Sequence, residues 1–183
     1  MNILCIIDFQ NDFITGALGS LAAKAAYDKA ETFLKARISD FGAVFVTRDT
    51  HEKDTYLDSY EGKRLPVPHC IAGTEGHEMP LPLQEILKGA NVVRTFDKIS
   101  FGEPLIGQAV ADVCDPTRDK LFLMGLDTDI CVLSNAILIR ASNPELPMAV
   151  FSDLCAGSTE ERHVAALSAM HSCFIDGMLS DEF

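Results

Sequence analysis

The sequence predicts an α/β protein: a three-layer, doubly wound sheet of six mostly parallel strands with helices on both faces. Short apolar runs recur along the chain and alternate with segments of helical periodicity, which is the pattern of successive βαβ units. The length of 183 residues fits one ordinary domain with a single large core. A hydrophobic fraction of 48% with 23% charged residues is typical of a globular chain. We therefore expect one domain that covers residues 1–183.

Each predicted strand is a short apolar run bounded by polar or turn-forming residues. Five of them are Ile3–Ile7, Ala43–Thr47, Asn91–Thr95, Leu121–Leu126 and Met148–Phe151. A sixth, shorter strand is predicted near Cys173–Ile175. Residues 174–183 allow no assignment beyond an edge strand and an acidic end.

Segments with helical periodicity lie between these strands and predict crossover helices. The predicted helices are Leu21–Ile38, Glu103–Val113, Ile130–Ala141 and Glu160–Ser172. The first is long and rich in alanine, and it begins directly after Gly19 and Ser20, which form a capping signal. The last follows Ser158 and Thr159, whose hydroxyl groups can cap its first turn.

The segment from Arg48 to Pro82 interrupts this alternation. It is polar and contains three histidines and four prolines. Loops of this length in compact domains are usually functional or disordered. We therefore expect binding residues within it.

Charge and cysteine usage limit the classes of partner and the compartment. The net charge of -12 argues against nucleic acid as a partner, because phosphate neutralisation requires clustered Lys and Arg. The first residues lack a basic segment and reach a carboxylate at Asp8, so we expect neither a signal peptide nor a membrane span. The six cysteines are widely spread without a CxxC pair, as expected of reduced thiols in a cytoplasmic protein.

The residues that follow the strands are the candidates for chemistry, because ligands bind beyond the carboxyl ends of strands in open parallel sheets. Cys131 follows the fourth strand at the start of a helix, where backbone amides and the helix dipole stabilise a thiolate. Asp8 ends the first strand, and Lys98 lies just beyond the third. Taken alone, each has a structural alternative: a small apolar helix residue, a helix cap or turn former, and a solvated surface lysine. Their occurrence at three different strand ends favours a nucleophile, a base and a cation in one site.

A second candidate site lies in the long polar loop. Asp49 and His51 are two residues apart, so an extended backbone directs both side chains to the same side. His69 lies further along the loop, and Glu61 is the candidate for a fourth ligand. Imidazole and carboxylate groups together suit a divalent metal ion. The alternatives are that the first pair forms a turn and that Glu61 is a solvated acid.

These residues fall into ordered motifs that resemble the isochorismatase-like cysteine hydrolase superfamily, and most closely its nicotinamidase branch. In chain order the motifs are Asp8–Phe13, Asp49–His51, Pro68–Ile71 with Gly73–Gly76, Lys98, and Gly125–Val132. The resemblance covers nearly the whole chain and implies the isochorismatase-like, Rossmann-like version of the doubly wound fold.

The resemblance implies a role for each strand-end residue. Asp8 corresponds to the general base, Lys98 to the catalytic lysine, and Cys131 to the nucleophile that forms a thioester with the substrate. It also implies a cis peptide bond before Asp127 and an oxyanion site made of backbone amides at Cys131 and around Asp127. The chain departs from the family pattern at Asp127, where alanine is more usual, and at Ile130, where tyrosine is common.

The resemblance further implies a metal ion, a substrate class and an assembly. The acid–imidazole cluster would hold one divalent ion, with zinc as the first choice and iron or manganese as alternatives. The chain contains no Trp to sandwich a pyridine ring, so we expect Phe13 and Phe101 to contact the substrate instead. Relatives are often oligomers, and a homo-oligomer is therefore expected.

The function expected from this resemblance is hydrolysis of a small amide, with nicotinamide giving nicotinate and ammonia. An alternative is a hydrolase of the same superfamily that acts on another small amide or an N-carbamoyl compound. An alternative of a different class is a non-catalytic binding module on the same fold, since fold alone does not fix function. Dinucleotide binding is disfavoured because no GxGxxG motif follows the first strand.

Overall fold

The computed structural model describes residues 1–183 and contains a six-stranded, all-parallel sheet with the strand order β3-β2-β1-β4-β5-β6. The strands are β1 (Asn2–Ile7), β2 (Phe41–Asp49), β3 (Val92–Lys98), β4 (Lys120–Leu126), β5 (Met148–Ala156) and β6 (Ile175–Met178). All six predicted strands are confirmed. Several extend further than predicted at their carboxyl ends, which brings Asp49 and Lys98 into the sheet.

Seven α-helices accompany the sheet. They are α1 (Asn11–Ile14), α2 (Leu21–Arg37), α3 (Tyr60–Arg64), α4 (Leu81–Lys88), α5 (Ile106–Ala111), α6 (Leu133–Ser142) and α7 (Glu160–Ser172). Ser20 and Thr159 cap α2 and α7 by accepting hydrogen bonds from backbone amides in the first turn, as predicted. None of these helices has the length and apolar character that a membrane crossing requires.

Two predicted helices differ in extent from those in the structure. The helix expected over Glu103–Val113 is confined to Ile106–Ala111, because Pro104 lies in a turn that precedes it. The helix expected over Ile130–Ala141 begins earlier, as a π-helical turn over Thr128–Val132 that continues into α6. Insertions of this kind in helices are frequent at functional sites.

The order of the strands places helices on both faces of the sheet. The chain moves outward from β1 through β2 to β3, then returns to the other side of β1 and continues through β4, β5 and β6. Right-handed crossovers therefore put α2 and α4 on one face and α5, α6 and α7 on the other. The contacts of α2 with α4, of α5 with α6 and of α6 with α7 agree with this arrangement. The three-layer, doubly wound architecture is thereby confirmed.

The register of the strands aligns the polar strand ends at one edge. Ile7, the last residue of β1, pairs with Thr47 in β2 and with Gly125 in β4. Asp49 in β2 pairs with Lys98 in β3. Below this edge, 42 buried apolar residues form the core that fixes the strands in place.

The C-terminal residues pack against the core. After the edge strand β6, Ser180–Glu182 form one turn of 3-10 helix. The ring of Phe183 stacks on Phe41 with 5.0 Å between centroids, and it also contacts Phe33, Phe122 and Phe151 edge-on. The expected edge strand is confirmed, and the acidic turn beyond it is anchored by this aromatic cluster.

Candidate active site

Asp8 lies at the point where β1 leaves the sheet, and its side chain is fully buried. Its backbone has a φ of 49°, in the left-handed region that aspartate tolerates better than most residues. The Thr47 hydroxyl donates a hydrogen bond of 2.7 Å to Asp8 Oδ1. The unusual backbone thus turns the carboxylate toward the neighbouring strand ends.

Lys98 connects the candidate nucleophile to two carboxylates. Its side chain is almost fully buried, and Nζ lies 2.7 Å from Asp8 Oδ2 and 3.2 Å from Asp49 Oδ1. The same ammonium group donates a hydrogen bond of 3.5 Å to Cys131 Sγ. A buried cation requires such partners, since desolvation would otherwise neutralise it.

Cys131 lies in the π-helical turn that follows β4, and 5% of its surface is exposed. The Asn135 side-chain amide donates a hydrogen bond of 2.8 Å to the Cys131 carbonyl and stabilises this turn. The peptide bond between Leu126 and Asp127 is cis, as the resemblance implies. Gly125 precedes it with a φ of 141°, where a side chain would collide with the backbone of β1.

The electrostatics of this group favour a neutral thiol before substrate arrives. Burial raises the pKa of Cys131 well above its ordinary value, and Asp8 adds to the rise while Lys98 opposes it. The sequence indicated that the helix start would stabilise a thiolate, and here the opposite direction prevails because burial dominates. Burial likewise raises the pKa of Asp8, against the opposing effect of Lys98. A carboxylate with a raised pKa is a better proton acceptor.

The acid–imidazole cluster also forms in the structure. One ligand atom from each of its four residues lies within 4.8 Å of all the others; the residues are Asp49, His51, Glu61 and His69. His51 Nε2 lies 2.9 Å from Asp49 Oδ2, yet it is buried without a hydrogen bond of proper geometry. An unsatisfied buried nitrogen that faces carboxylates fits a divalent cation bound between them.

Several residues that sequence reasoning did not single out hold this cluster in position. Gln10 is fully buried and clamps the Asp49 backbone, accepting from its N–H at 2.7 Å and donating to its carbonyl at 2.8 Å. The Val67 carbonyl lies 2.9 Å from His69 Nδ1 and orients that ring, and the Tyr56 ring packs edge-on against it. Gln10 lies within the first motif, but its sequence position gave no sign that it binds the next strand.

Two adjoining cavities open from the candidate site. The inner cavity has a volume of about 60 Å³ and lies among Phe13, Leu18, His69, Asp127, Ile130 and Cys131. The outer cavity has a volume of about 480 Å³ and lies among Tyr60, Arg64, Leu65, Ile99, Ser100 and Phe101. Glu61, Leu65, Phe101 and Ile130 border both. The inner cavity therefore admits only a small group beside the cysteine, and the outer cavity leads to it.

Both phenylalanines expected at the substrate site border the inner cavity. Phe13 is buried and packs edge-on against His69 with 5.5 Å between ring centroids. Phe101 is half exposed at the boundary between the two cavities. The structure thus brings together every residue that the sequence predicted for the catalytic, metal and substrate sites.

The sequence model of the isochorismatase domain matches residues 2–182 of this chain. The chain belongs to the isochorismatase family. A curated relative in this family is the nicotinamidase/pyrazinamidase of Mycobacterium tuberculosis, which is 28% identical over 96% of this chain and 97% of its own length.

Solved structures of isochorismatase-family proteins share the fold. A nicotinamidase/pyrazinamidase from Bacillus subtilis superposes with a TM-score of 0.79 at 30% identity, covering 96% of this chain and 98% of that one. A pyrazinamidase from Pyrococcus horikoshii, solved in complex with zinc, superposes with a TM-score of 0.72 at 20% identity over 97% of this chain and 98% of its own. The predicted superfamily and fold are therefore confirmed.

Proposed function

We propose that this isochorismatase-family protein is a metal-containing cysteine amidohydrolase that hydrolyses nicotinamide to nicotinate and ammonia. The observation that carries the proposal is the convergence of Asp8 and Cys131 on the Lys98 ammonium group, within hydrogen-bonding distances, with Cys131 at the wall of the inner cavity. The similarity to nicotinamidase/pyrazinamidase sequences supports the choice of substrate.

The reaction begins with proton transfer from the Cys131 thiol to Asp8. The thiolate attacks the amide carbonyl carbon, and backbone amides at Cys131 and around Asp127 hold the resulting oxyanion. When the carbon–nitrogen bond breaks, Asp8 returns the proton to the leaving nitrogen, and ammonia and a thioester result. Asp8 then takes a proton from water, whose oxygen attacks the thioester. The carbon–sulfur bond then breaks, and Asp8 returns this proton to the sulfur. Nicotinic acid, which ionises to nicotinate, leaves, and the free thiol and the Asp8 carboxylate are restored.

Lys98 stabilises charge at two stages of this sequence. Its ammonium group lies 2.7 Å from Asp8 and 3.5 Å from Cys131 Sγ. The thiolate therefore forms next to a fixed positive charge, while the same charge orients the carboxylate that takes the proton. Because water is excluded from this buried group, the charge acts at low dielectric and is correspondingly effective.

Asp49, His51, His69 and Glu61 are the residues that would hold a divalent ion. Such an ion supplies a Lewis-acidic position that binds a pyridine nitrogen or water and so orients the substrate. Burial would raise the pKa of Asp49, but the nearby rings of His51 and His69 together with the charge of Lys98 lower it, so this carboxylate is ionised and ready to coordinate.

The nucleophile is tested by ammonia release from nicotinamide in the metal-loaded protein. The Cys131→Ala variant should lose activity by at least about 1000-fold, since the covalent route is removed. Cys155→Ala removes an equally buried thiol away from the proposed trio and serves as the matched control. Near-normal turnover by Cys131→Ala would refute the covalent mechanism. The wild-type protein is also assayed on a panel of amides that includes pyrazinamide and N-carbamoyl compounds. A wild-type protein inactive on all of them would favour a non-catalytic binding module.

The metal site is tested by metal content rather than by activity. The purified protein should carry about one divalent ion per chain, and His69→Ala, which removes a direct ligand, should bind it at least about 10-fold more weakly, the loss typical even of an outer-shell partner. His171→Ala, which alters an exposed histidine on α7, should retain the ion. Equal metal content in the two variants would contradict the proposed ligand set.

A further inference from the structure

The side chain of Asp127 borders the inner cavity and has no bonding partner in the protein. It is partly buried and precedes the π-helical turn that carries Cys131. Its carboxylate makes no capping hydrogen bond to that turn, and no cation lies close enough to influence it. A carboxylate in this position is therefore free to bind a ligand.

The two acidic residues nearest to Asp127, Asp8 and Asp129, both have bonding partners in the protein, whereas Asp127 has none. Asp8 is paired with Lys98 and accepts a hydrogen bond from Thr47. Asp129 faces away from the cavity and accepts hydrogen bonds of 2.8 Å and 2.7 Å from the backbone and hydroxyl of Ser158. The carboxylate of Asp127 is the one in this turn that lacks a donor.

The missing donor has an energetic consequence. Burial, followed by the negative charges of Asp129 and Asp8, raises the pKa of Asp127 to about 7. A partly buried polar group without a partner is unfavourable, and a ligand that supplies a donor recovers that cost. The arrangement thus favours ligands that donate over ligands of the same shape that do not.

We propose that Asp127 accepts a hydrogen bond from the substrate, so that, among small aromatic amides of the same shape, those with an N–H donor group on the ring are hydrolysed in preference to those without one. This inference rests on the proposed amidohydrolase function and narrows its substrate class. Phe13, Leu18 and Ile130 form apolar walls of the inner cavity, and its other two carboxylates, Asp49 and Glu61, belong to the proposed metal site.

Pairs of nicotinamide analogues that differ only in one ring substituent test the inference. Each pair carries an amino or a methyl group at the same ring carbon, with each free ring carbon examined in turn. The two groups are similar in size, but only the amino group donates. At pH 8, where most Asp127 side chains are ionised, the wild-type kcat/KM should favour the amino member by about 10-fold or more for at least one ring carbon, as expected for a hydrogen bond to a charged acceptor.

Two variants separate the role of Asp127 from a general effect of charge. In Asp127→Ala the preference should fall to within about 2-fold, because the acceptor is gone. In Asp129→Asn it should persist, since that side chain bonds to Ser158 outside the cavity. A wild-type preference below about 2-fold at every ring carbon, or one that survives in Asp127→Ala, would overturn the inference.

Failure of the proposed reaction would be recognised separately. If the wild-type protein released ammonia from none of the amides, the amidohydrolase function would be refuted, whatever Asp127 does. The same pairs would then be compared by calorimetric Kd with the metal-loaded wild-type and Asp127→Ala proteins. A wild-type Kd that favours the amino member by about 10-fold or more, with a preference within about 2-fold in Asp127→Ala, would support the inference. A wild-type preference below about 2-fold, or one that survives in Asp127→Ala, would overturn it.

Discussion

Replacing Asp127 with Asn tests the electrostatic description of the site without reference to catalysis. Burial and the nearby negative charges of Asp129 and Asp8 raise the pKa of Asp127 from 3.8 to about 7. Between these two values the folded protein keeps the proton while the unfolded chain loses it. The free energy of unfolding contributed by this group is therefore fully present below about pH 4 and is lost as the pH rises toward 7.

The size of the effect follows from the shift. One pKa unit corresponds to about 1.4 kcal/mol, so the rise to about 7 sets an upper limit of about 4 kcal/mol. Partial exposure of Asp127 reduces this value, because solvent screens the charge. Asparagine does not titrate, so Asp127→Asn should exceed the wild-type free energy of unfolding by roughly 1–3 kcal/mol at pH 8.

Urea denaturation at a series of pH values measures this difference. The gap between Asp127→Asn and wild type should widen from pH 5 to pH 7 and stay constant above that. Asp54→Asn, which alters an exposed carboxylate, should change the free energy of unfolding by no more than about 0.5 kcal/mol at any pH. A variant that is less stable than wild type at pH 8, or a gap independent of pH, would show that Asp127 has a partner in the folded protein.

Further predictions concern the groups around the proposed trio. Thr47→Val removes the hydroxyl that lowers the pKa of Asp8. The acid limb of the pH profile of kcat/KM for nicotinamide should therefore move up by about 1–2 pH units. An unchanged acid limb would mean that Asp8 is not the group that accepts the proton. Lys98→Met leaves buried carboxylates without their cation and should lower the free energy of unfolding in urea by about 3–5 kcal/mol. Lys88→Met, which removes an exposed ion pair, should change the free energy of unfolding by less than about 1 kcal/mol. Similar losses in Lys98→Met and Lys88→Met would argue against a buried charge network. Gln10→Ala leaves backbone groups of β2 unpaired, so urea denaturation should show a loss of at least about 2 kcal/mol; a smaller loss would mean that water replaces the side chain.

The sheet and its polar edge could be predicted because their signals are local. Apolar runs mark the strands, and the residues that directly follow them are brought to one edge by any parallel sheet. Asp8, Lys98 and Cys131 were identified on this basis, and the structure brings all three together. The strand lengths were underestimated because Asp49 and Lys98 are polar, although both are buried in the folded chain.

Features that depend on distant contacts could not be predicted. Helix α4 was missed because Pro80 and Pro82 indicate a loop, whereas proline also suits the first turn of a helix. The direction of the Cys131 pKa shift was wrong because burial in the assembled site outweighs the local helix start. The clamp that Gln10 forms on Asp49 joins the residue before α1 to the end of β2, 39 residues further along the chain, and the residues next to Gln10 do not signal that bond.

The parallel pairing of β1 with β4 has a consequence for the way activity returns after denaturation. These central strands lie more than a hundred residues apart in sequence, and each of β1, β3 and β4 delivers one member of the trio. Pairings between such remote segments are slow to form, because the entropy cost of closing a long loop comes before any stabilising contact is made. A chain with only its local helices and one strand pair formed would hold no assembled site. Recovery of turnover after dilution from urea should therefore follow the closing of the central strands and lag behind the return of helical circular dichroism.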